Sequence, residues 1–230
     1  MTAKRMEIAG IPALVWGEPS ERVCLCVHGK MGSKEAAEGV ARIAAEKDCQ
    51  TISFDLPQHG ERKGESRRCD IWNGIEDLST VGEYVFKRWQ RVSLYACSLG
   101  AYFSLHAYGK LPFEKCLFQS PILDMEHLIR RMFGWFDITE ERLEREREIE
   151  TPIDLMRWDY FRYVLEHPVE EWNPPTSILY GGRDEMQSME VISRFASRFG
   201  CAVTVAENSE HPFMKETDFP IVDKWLREQL

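Results

Sequence analysis

The sequence contains no apolar run near the ~18–20 residues that a membrane-spanning helix requires. Its opening stretch, "MTAKRMEIAGIPALVWGEPS", has no apolar segment of signal-peptide length and no small-residue cleavage pattern. The expectation is a cytoplasmic protein with no integral-membrane segment. An excess of positive charge is also missing. A net charge of −9 argues against nucleic acid or an anionic membrane surface as a partner. There is no Cys-x-x-Cys pair, and seven scattered cysteines suit reduced thiols rather than a disulfide framework. Cys24 and Cys26 lie two apart in an apolar run, so they share one strand face and are expected to pack in the core. No metal-ligand spacing stands out. His28–Gly29 with Gly32 is too short for a dinucleotide fingerprint, and no phosphate-binding glycine loop is present. Neither a metal nor an organic cofactor is implied. There is no internal repeat and no low-complexity linker.

What is present is enough for a packed core. Of 230 residues, 43% are hydrophobic and 29% charged, which suits one domain carrying an insertion. "KRMEI" and "PALVW" flank Ala9–Gly10 as a hairpin. "RVCLCVHG" reads as a strand buried on both faces. Ser33 is placed to cap a helix carrying Ala36, Ala37, Val40, Ile43 and Ala44. Strands follow at "QTISFDLP", "RVSLYA", "KCLFQSP", "TSILYGG" and "CAVTVAE". Helices are expected over 75–89, 99–108, 187–199 and 219–230. This alternation predicts an α/β fold with a mostly parallel twisted sheet and helices on both faces. The rhythm breaks between Pro121 and Pro174, where no strand-like run occurs. Met125, Leu128, Ile129, Met132, Phe133 and Phe136 fall on one helical stripe there. The charged "TEERLEREREIE" reads as a solvated helix face. "IDLMRWDYFRYVLEHP" reads as a third helix, ended by Pro168. These helices must rest on the sheet edge where "KCLFQSP" ends.

"YACSLG", residues 95–100, places Cys97 and Ser98 side by side. A nucleophile on a strand-to-helix turn needs small residues two before and two after it. Centred on Ser98, those positions hold Ala96 and Gly100. Centred on Cys97, they hold Tyr95 and Leu99, which are too bulky. Ser98 is therefore the candidate nucleophile and Cys97 a packing neighbour. A hydroxyl nucleophile needs a base. Of six histidines, His211 follows the last strand in "NSEHPF", where Pro212 keeps it at a loop tip. His28 is expected to order its loop, and His59 and Asp55 to brace the loop after their strand. His106 lies in a helix, and His127 and His167 in the insertion. An orienting acid is available at Asp184 in "YGGRDEM". Asp124, after "QSPIL", is a rival, and Glu185 is a further neighbour.

The order Ser98, Asp184, His211 resembles that of the α/β-hydrolase family. "VHGKMGS" is similar to that family's His-Gly oxyanion loop, and "FDLPQHGER" to its Asp-x-x-Gly-His-Gly segment, with Gln58 where glycine is common. Ala96 replaces the first glycine of Gly-x-Ser-x-Gly. The likeness is strongest to compact bacterial serine hydrolases of the esterase and monoacylglycerol-lipase kind with a helical lid. The resemblance implies that His211 takes the Ser98 proton and that Asp184 fixes the imidazole. It assigns the oxyanion donors to the backbone of Leu99 and of Lys30, with Met31 as a weaker alternative. Losing one such donor costs roughly 3–4 kcal/mol in comparable enzymes.

The expected organisation is thus an α/β-hydrolase core over 1–123 and 173–230, with a helical lid over 124–172. Met31, Trp135, Phe136, Trp158 and Phe161 are candidates for lining the substrate pocket. Arg130, Arg131, Arg157 and Arg162 suit a solvated face better than a substrate carboxylate. The expected activity is hydrolysis of a small or medium acyl ester through an acyl-enzyme on Ser98. A peptidase or amidase of the prolyl-aminopeptidase kind, a thioesterase, a carbon–carbon hydrolase and a non-catalytic binding module are alternatives. The partner is a small-molecule ester, and monomer and homodimer are both open.

Overall fold

A computed structural model describes residues 2–230. The chain starts with strands β1 (Lys4–Ile8) and β2 (Ile11–Trp16), paired antiparallel. Ala9 and Gly10 between them take φ of 50° and 83°. Two positive φ values give the hairpin turn whose twist matches that of its strands. In β3 (Arg22–Val27), Val23, Leu25 and Val27 enter the core beneath one sheet face, and Cys24 and Cys26 the core beneath the other. Every cysteine is a free thiol.

A 3-10 turn, Lys34–Ala37, precedes helix α1 (Glu38–Ala45), and β4 (Gln50–Phe54) follows. The Ser33 side chain makes no cap bond. Asp55, just past β4, governs this helix start instead. Its Oδ1 accepts the Lys34 N–H at 2.8 Å, and its Oδ2 meets the Lys34 ammonium at 2.7 Å. Both side chains are fully buried. Burial alone would lower the Lys34 pKa, but Asp55, Glu61 and Glu35 around the ammonium raise it, so Lys34 stays charged.

Helix α2 (Ile71–Phe86) starts ahead of the expected Ile75, because the Asp70 carboxylate accepts the Asn73 N–H at 3.2 Å. Gly74 is no helix breaker. A Cβ there would stand 2.5 Å from the Phe103 ring, so glycine lets α2 approach the next helix. Strand β5 (Arg91–Cys97), helix α3 (Leu99–Tyr108) and β6 (Cys116–Gln119) complete the first half.

The segment after β6 holds α4 (Met125–Phe136), α5 (Glu140–Glu146), β7 (Glu148–Glu150), β8 (Leu155–Arg157) and α6 (Trp158–Glu166). It is not strand-free. β7 and β8 pair antiparallel, with Ile149 opposite Met156 and both buried. Thr151 holds the turn by accepting the Asp154 N–H at 3.0 Å. The expected third helix therefore loses its first turn to β8. Strand β9 (Thr176–Gly181), α7 (Met189–Phe199), β10 (Ala202–Ala206) and α8 (Phe219–Gln229) close the chain.

The sheet order is β1-β2-β4-β3-β5-β6-β9-β10. β1 and β2 are antiparallel additions to a parallel sheet. Helices α1 and α8 cover one face, and α2, α3 and α7 the other. From β3 the chain proceeds outward to β4, and from β5 it proceeds the opposite way to β6. Between β3 and β5 the winding reverses. Open α/β sheets form their ligand crevice outside the strand ends at such a reversal.

Candidate active site

Ser98 sits at that reversal, between β5 and α3, with φ 50° and ψ −118°. This conformation is strained for a residue with a Cβ. Backbone bonds hold it there. Its N–H donates to Gln119 O at 3.2 Å, and its carbonyl accepts from Ala101 at 3.0 Å and Ile122 at 3.2 Å. The need for small flanks has a definite source. A Cβ on Gly100 would lie 2.5 Å from His28 O and 2.7 Å from Val27 O, the backbone at the end of β3. Gly29 is similarly confined, since its Cβ would stand 3.0 Å from Ser98 Cβ. Gly100→Ala should therefore destabilise the fold by roughly 1–3 kcal/mol, because the opposing carbonyls cannot withdraw. The urea midpoint measures this, and an unchanged midpoint would mean that the elbow has slack.

Ser98 Oγ lies 2.8 Å from His211 Nε2. His211 Nδ1 lies 2.8 Å from Asp184 Oδ2. The other carboxylate oxygen of Asp184 accepts the N–H groups of Met186 at 2.7 Å and Gln187 at 3.2 Å. The carboxylate is thus oriented by its own turn before it meets the imidazole. Asp124 is elsewhere. It caps α4 by accepting the His127 N–H at 2.9 Å, and it pairs with Arg194 at 2.7 Å. Glu185 is exposed. Cys97, beside Ser98, has its thiol pushed up to about 12 by burial and, secondarily, by the Asp184 charge. At neutral pH it carries no thiolate to act as a nucleophile.

The loop after β3 is braced by two histidines. His28 is buried. Its Nδ1–H donates to Gly29 O at 2.7 Å, and its Nε2 accepts the Leu56 N–H at 3.1 Å. Burial lowers its pKa to about 4, so the ring is neutral. His59 does more than brace its own loop. Its Nδ1 bonds Pro57 O at 2.8 Å, and its Nε2 accepts the Met31 N–H at 3.0 Å. The Met31 N–H is thereby occupied. The Lys30 N–H has no acceptor among the described residues. The Leu99 N–H, first in α3, has no intrahelical acceptor.

A cavity of about 1060 Å³ opens over Ser98. Met31 and Phe161 line it, whereas Trp135, Phe136 and Trp158 do not. Trp158 is buried behind Phe161, ring centroids 6.0 Å apart. Trp135 faces outward at the far end of α4, packed edge-on against Phe136 with the Arg131 guanidinium 5.4 Å from its ring. Methionine takes the place expected of the aromatics. Met31, Met125, Met132, Met156, Met186 and Met214, six of the chain's nine, line the cavity. The stripe on α4 that carries Met125, Ile129 and Met132 was visible in the sequence as helical periodicity, but its target was not.

The β7–β8 hairpin also borders the cavity and is pinned to the core by charge. Lys30 pairs with Asp154, Arg68 with Glu148 at 3.1 Å, and Arg157 with Asp70 at 3.0 Å. Arg130 and Arg162 are engaged with glutamates on the insertion's outer surface. One further residue escaped the sequence reading. Buried Gln187 accepts the N–H groups of Leu123 at 3.0 Å and Asp124 at 2.9 Å, tying the start of the insertion to the Asp184 turn. Nothing in its local sequence marks it. Among the described residues, no cluster of His, Cys, Asp and Glu is arranged to hold a metal ion, and no helix is long and apolar enough to cross a membrane.

The sheet order, the strained serine elbow and the strand-end positions of the acid and histidine define the α/β-hydrolase fold. The solved structures it resembles agree. Est1E from Butyrivibrio proteoclasticus with ferulic acid bound superposes at a TM-score of 0.78 and 18% identity, over 98% of this chain and 97% of that one. A putative hydrolase from Agrobacterium vitis S4 gives 0.78 and 17%, over 99% and 97%. The Pyrococcus furiosus esterase Pf2001 gives 0.73 and 16%, over 100% and 90%. No protein-family model and no curated protein sequence matches the chain.

Proposed function

We propose that the protein is a serine hydrolase that cleaves a small-molecule carboxylic ester through an acyl-enzyme on Ser98. The observation that carries this reading is the continuous hydrogen-bonded chain from Ser98 Oγ through His211 to Asp184. His211 Nε2 takes the Ser98 proton as Oγ attacks the acyl carbon. Asp184 keeps the other ring proton on Nδ1 and stabilises the imidazolium that forms. The backbone N–H groups of Lys30 and Leu99 receive the developing oxyanion. The imidazolium then returns its proton to the departing alkoxide, and water repeats the sequence to release the acid. The insertion over 124–172 serves as a lid whose underside, with Met125, Ile129, Met132 and Phe161, takes the acyl group. Methionine adapts to irregular apolar shapes, which suits a wall that meets acyl chains of varied form.

The ester reading is preferred to a prolyl-type aminopeptidase. Such an enzyme needs a free anionic site for the substrate's ammonium. The acidic residues lining this cavity, Asp70 and Asp154, are already paired with Arg157 and Lys30.

The test is a panel of p-nitrophenyl esters of rising chain length, run beside a feruloyl ester, acyl thioesters and aminoacyl-p-nitroanilides. The feruloyl ester is included because ferulic acid is bound in the Est1E structure. Ester turnover should dominate and rise from acetyl to medium chains. Preferential cleavage of the anilides would overturn the reading. Met132→Trp, which fills the wall formed by α4, should lower kcat/KM for the longest accepted ester at least about tenfold while sparing acetyl. An equal loss across the series would show that α4 does not meet the acyl chain.

A further inference from the structure

The loop that carries Lys30 is a tight turn. Gly32 N–H donates to Gly29 O at 3.1 Å, which places Lys30 and Met31 at its two central positions. Met31 has φ 64° and Lys30 does not have positive φ. Positive φ at the second central position alone defines a type II turn, a geometry that favours glycine there. A side chain in that region costs roughly 1–2 kcal/mol. The alternative type I turn reverses the peptide plane between Lys30 and Met31 and relieves that strain. Something must hold the peptide in the costlier orientation.

The group positioned to do so is His59, on the loop after β4. Its Nε2 accepts the N–H of that same Lys30–Met31 peptide at 3.0 Å. Its Nδ1, 2.8 Å from Pro57 O, donates a proton to that carbonyl. Together these contacts require the neutral ring with its proton on Nδ1. His28 packs against it at 5.2 Å between centroids and holds the first residue of the turn through Gly29 O. If the Lys30–Met31 peptide reversed, the Lys30 carbonyl would face the bare Nε2, acceptor against acceptor.

We infer that His59 is a positioning residue for the oxyanion loop: it accepts the Met31 N–H and fixes the type II turn, and with His28, which holds the Gly29–Lys30 peptide through Gly29 O, it keeps the turn that carries the Lys30 N–H in place before substrate arrives. It touches no reacting atom. The inference rests on the reading of Ser98 as nucleophile and Lys30 as donor. Preorganised donors matter most where charge develops, so the effect belongs in kcat rather than in ground-state binding.

The experiment compares His59→Phe, which removes the acceptor, with His59→Gln, whose amide oxygen sits near the place of Nε2. Each is assayed for kcat and KM on the best ester, for Ser98 labelling by a fluorophosphonate, and for hydrogen exchange at the Met31 amide. His59→Phe should lower kcat about tenfold or more with KM changed less than about twofold. It should also expose the Met31 amide to exchange, and His59→Gln should restore both. An unchanged kcat in His59→Phe despite faster Met31 exchange overturns the inference and leaves the hydrolase reading intact. Equal losses in both variants, or a protected amide in both, also overturn it. A wild type without Ser98-dependent turnover removes the hydrolase reading, and the inference with it. Should His59→Phe fail to fold, His59→Ala replaces it, judged by the same outcomes.

Discussion

Ser98→Ala is expected to lower ester turnover by about a millionfold and to abolish fluorophosphonate labelling. The size of the effect follows from interdependence. Without Oγ there is nothing for His211 to deprotonate, so the hydrogen-bonded chain loses its purpose along with its end. What survives is whatever the Lys30 and Leu99 N–H groups supply to attack by water. Cys97→Ala is the necessary companion. Cys97 lines the same cavity, but burial holds its thiol at about 12, so its loss should leave labelling in place. Labelling that vanishes with Cys97 and persists without Ser98 would reverse the assignment. The folded state should tolerate the Ser98 change, since alanine occupies a strained φ of 50° no less readily than serine.

Asp184→Asn is expected to cost about ten-thousandfold in kcat with little loss of stability. The geometry explains why a nearly isosteric change does so much. Asp184 Oδ1 accepts the N–H groups of Met186 and Gln187, at 2.7 and 3.2 Å. An asparagine must keep its oxygen there, because an amide nitrogen facing two N–H groups is repulsive. Its NH₂ is then turned toward His211 Nδ1, where it donates. The ring responds by placing its own proton on Nε2, the atom that faces Ser98 Oγ at 2.8 Å. The base becomes a donor, and the serine cannot lose its proton. Nitrogen-15 shifts of the His211 ring should report the tautomer change directly. A variant retaining the Nδ1-protonated ring and near-normal kcat would show that Asp184 has no such role.

The three side chains of this chain of bonds were legible because each lies at a strand end and each has a local constraint. Ser98 has small flanks, Asp184 follows two glycines, and His211 precedes a proline. Alternation of strands and helices was legible for the same reason that β3 is: an uninterrupted apolar run must be covered on both faces. The walls of the cavity were not legible. Aromatic content in the insertion carries no direction. Trp135 and Phe136 come at the end of α4, roughly 15 Å along the axis from Met125 at 1.5 Å per residue, beyond the reach of the cavity. The β7–β8 hairpin was invisible because three-residue strands are too short to display a period of two. The Asp55 contact that replaces Ser33 at the first turn is a tertiary event, and local propensity says nothing about it.

The two seams of the insertion bear on how such a chain can diversify. At the first, Gln187 grips the backbone of Leu123 and Asp124. At the second, Trp172 donates to Thr176 Oγ1 at 2.7 Å, and the Asn173 N–H to Gly109 O at 3.1 Å. Each seam is fastened to the core, the first to the loop between β9 and α7 and the second to β9 and the end of α3, rather than to the stretch between them. Residues 125–171 are thus mounted like a cartridge in a socket. A foreign stretch of different length or shape, spliced at these seams, leaves the elbow, the acid turn and the histidine loop on their original supports. What it forfeits is the apolar packing of the insertion against the core, Trp72 on Tyr160 and Tyr163 included, together with the clasp between Arg157 and Asp70 and the hairpin's other ion pairs. On the proposed function, a change of insertion would exchange selectivity while leaving Ser98, Asp184 and His211 on their original supports.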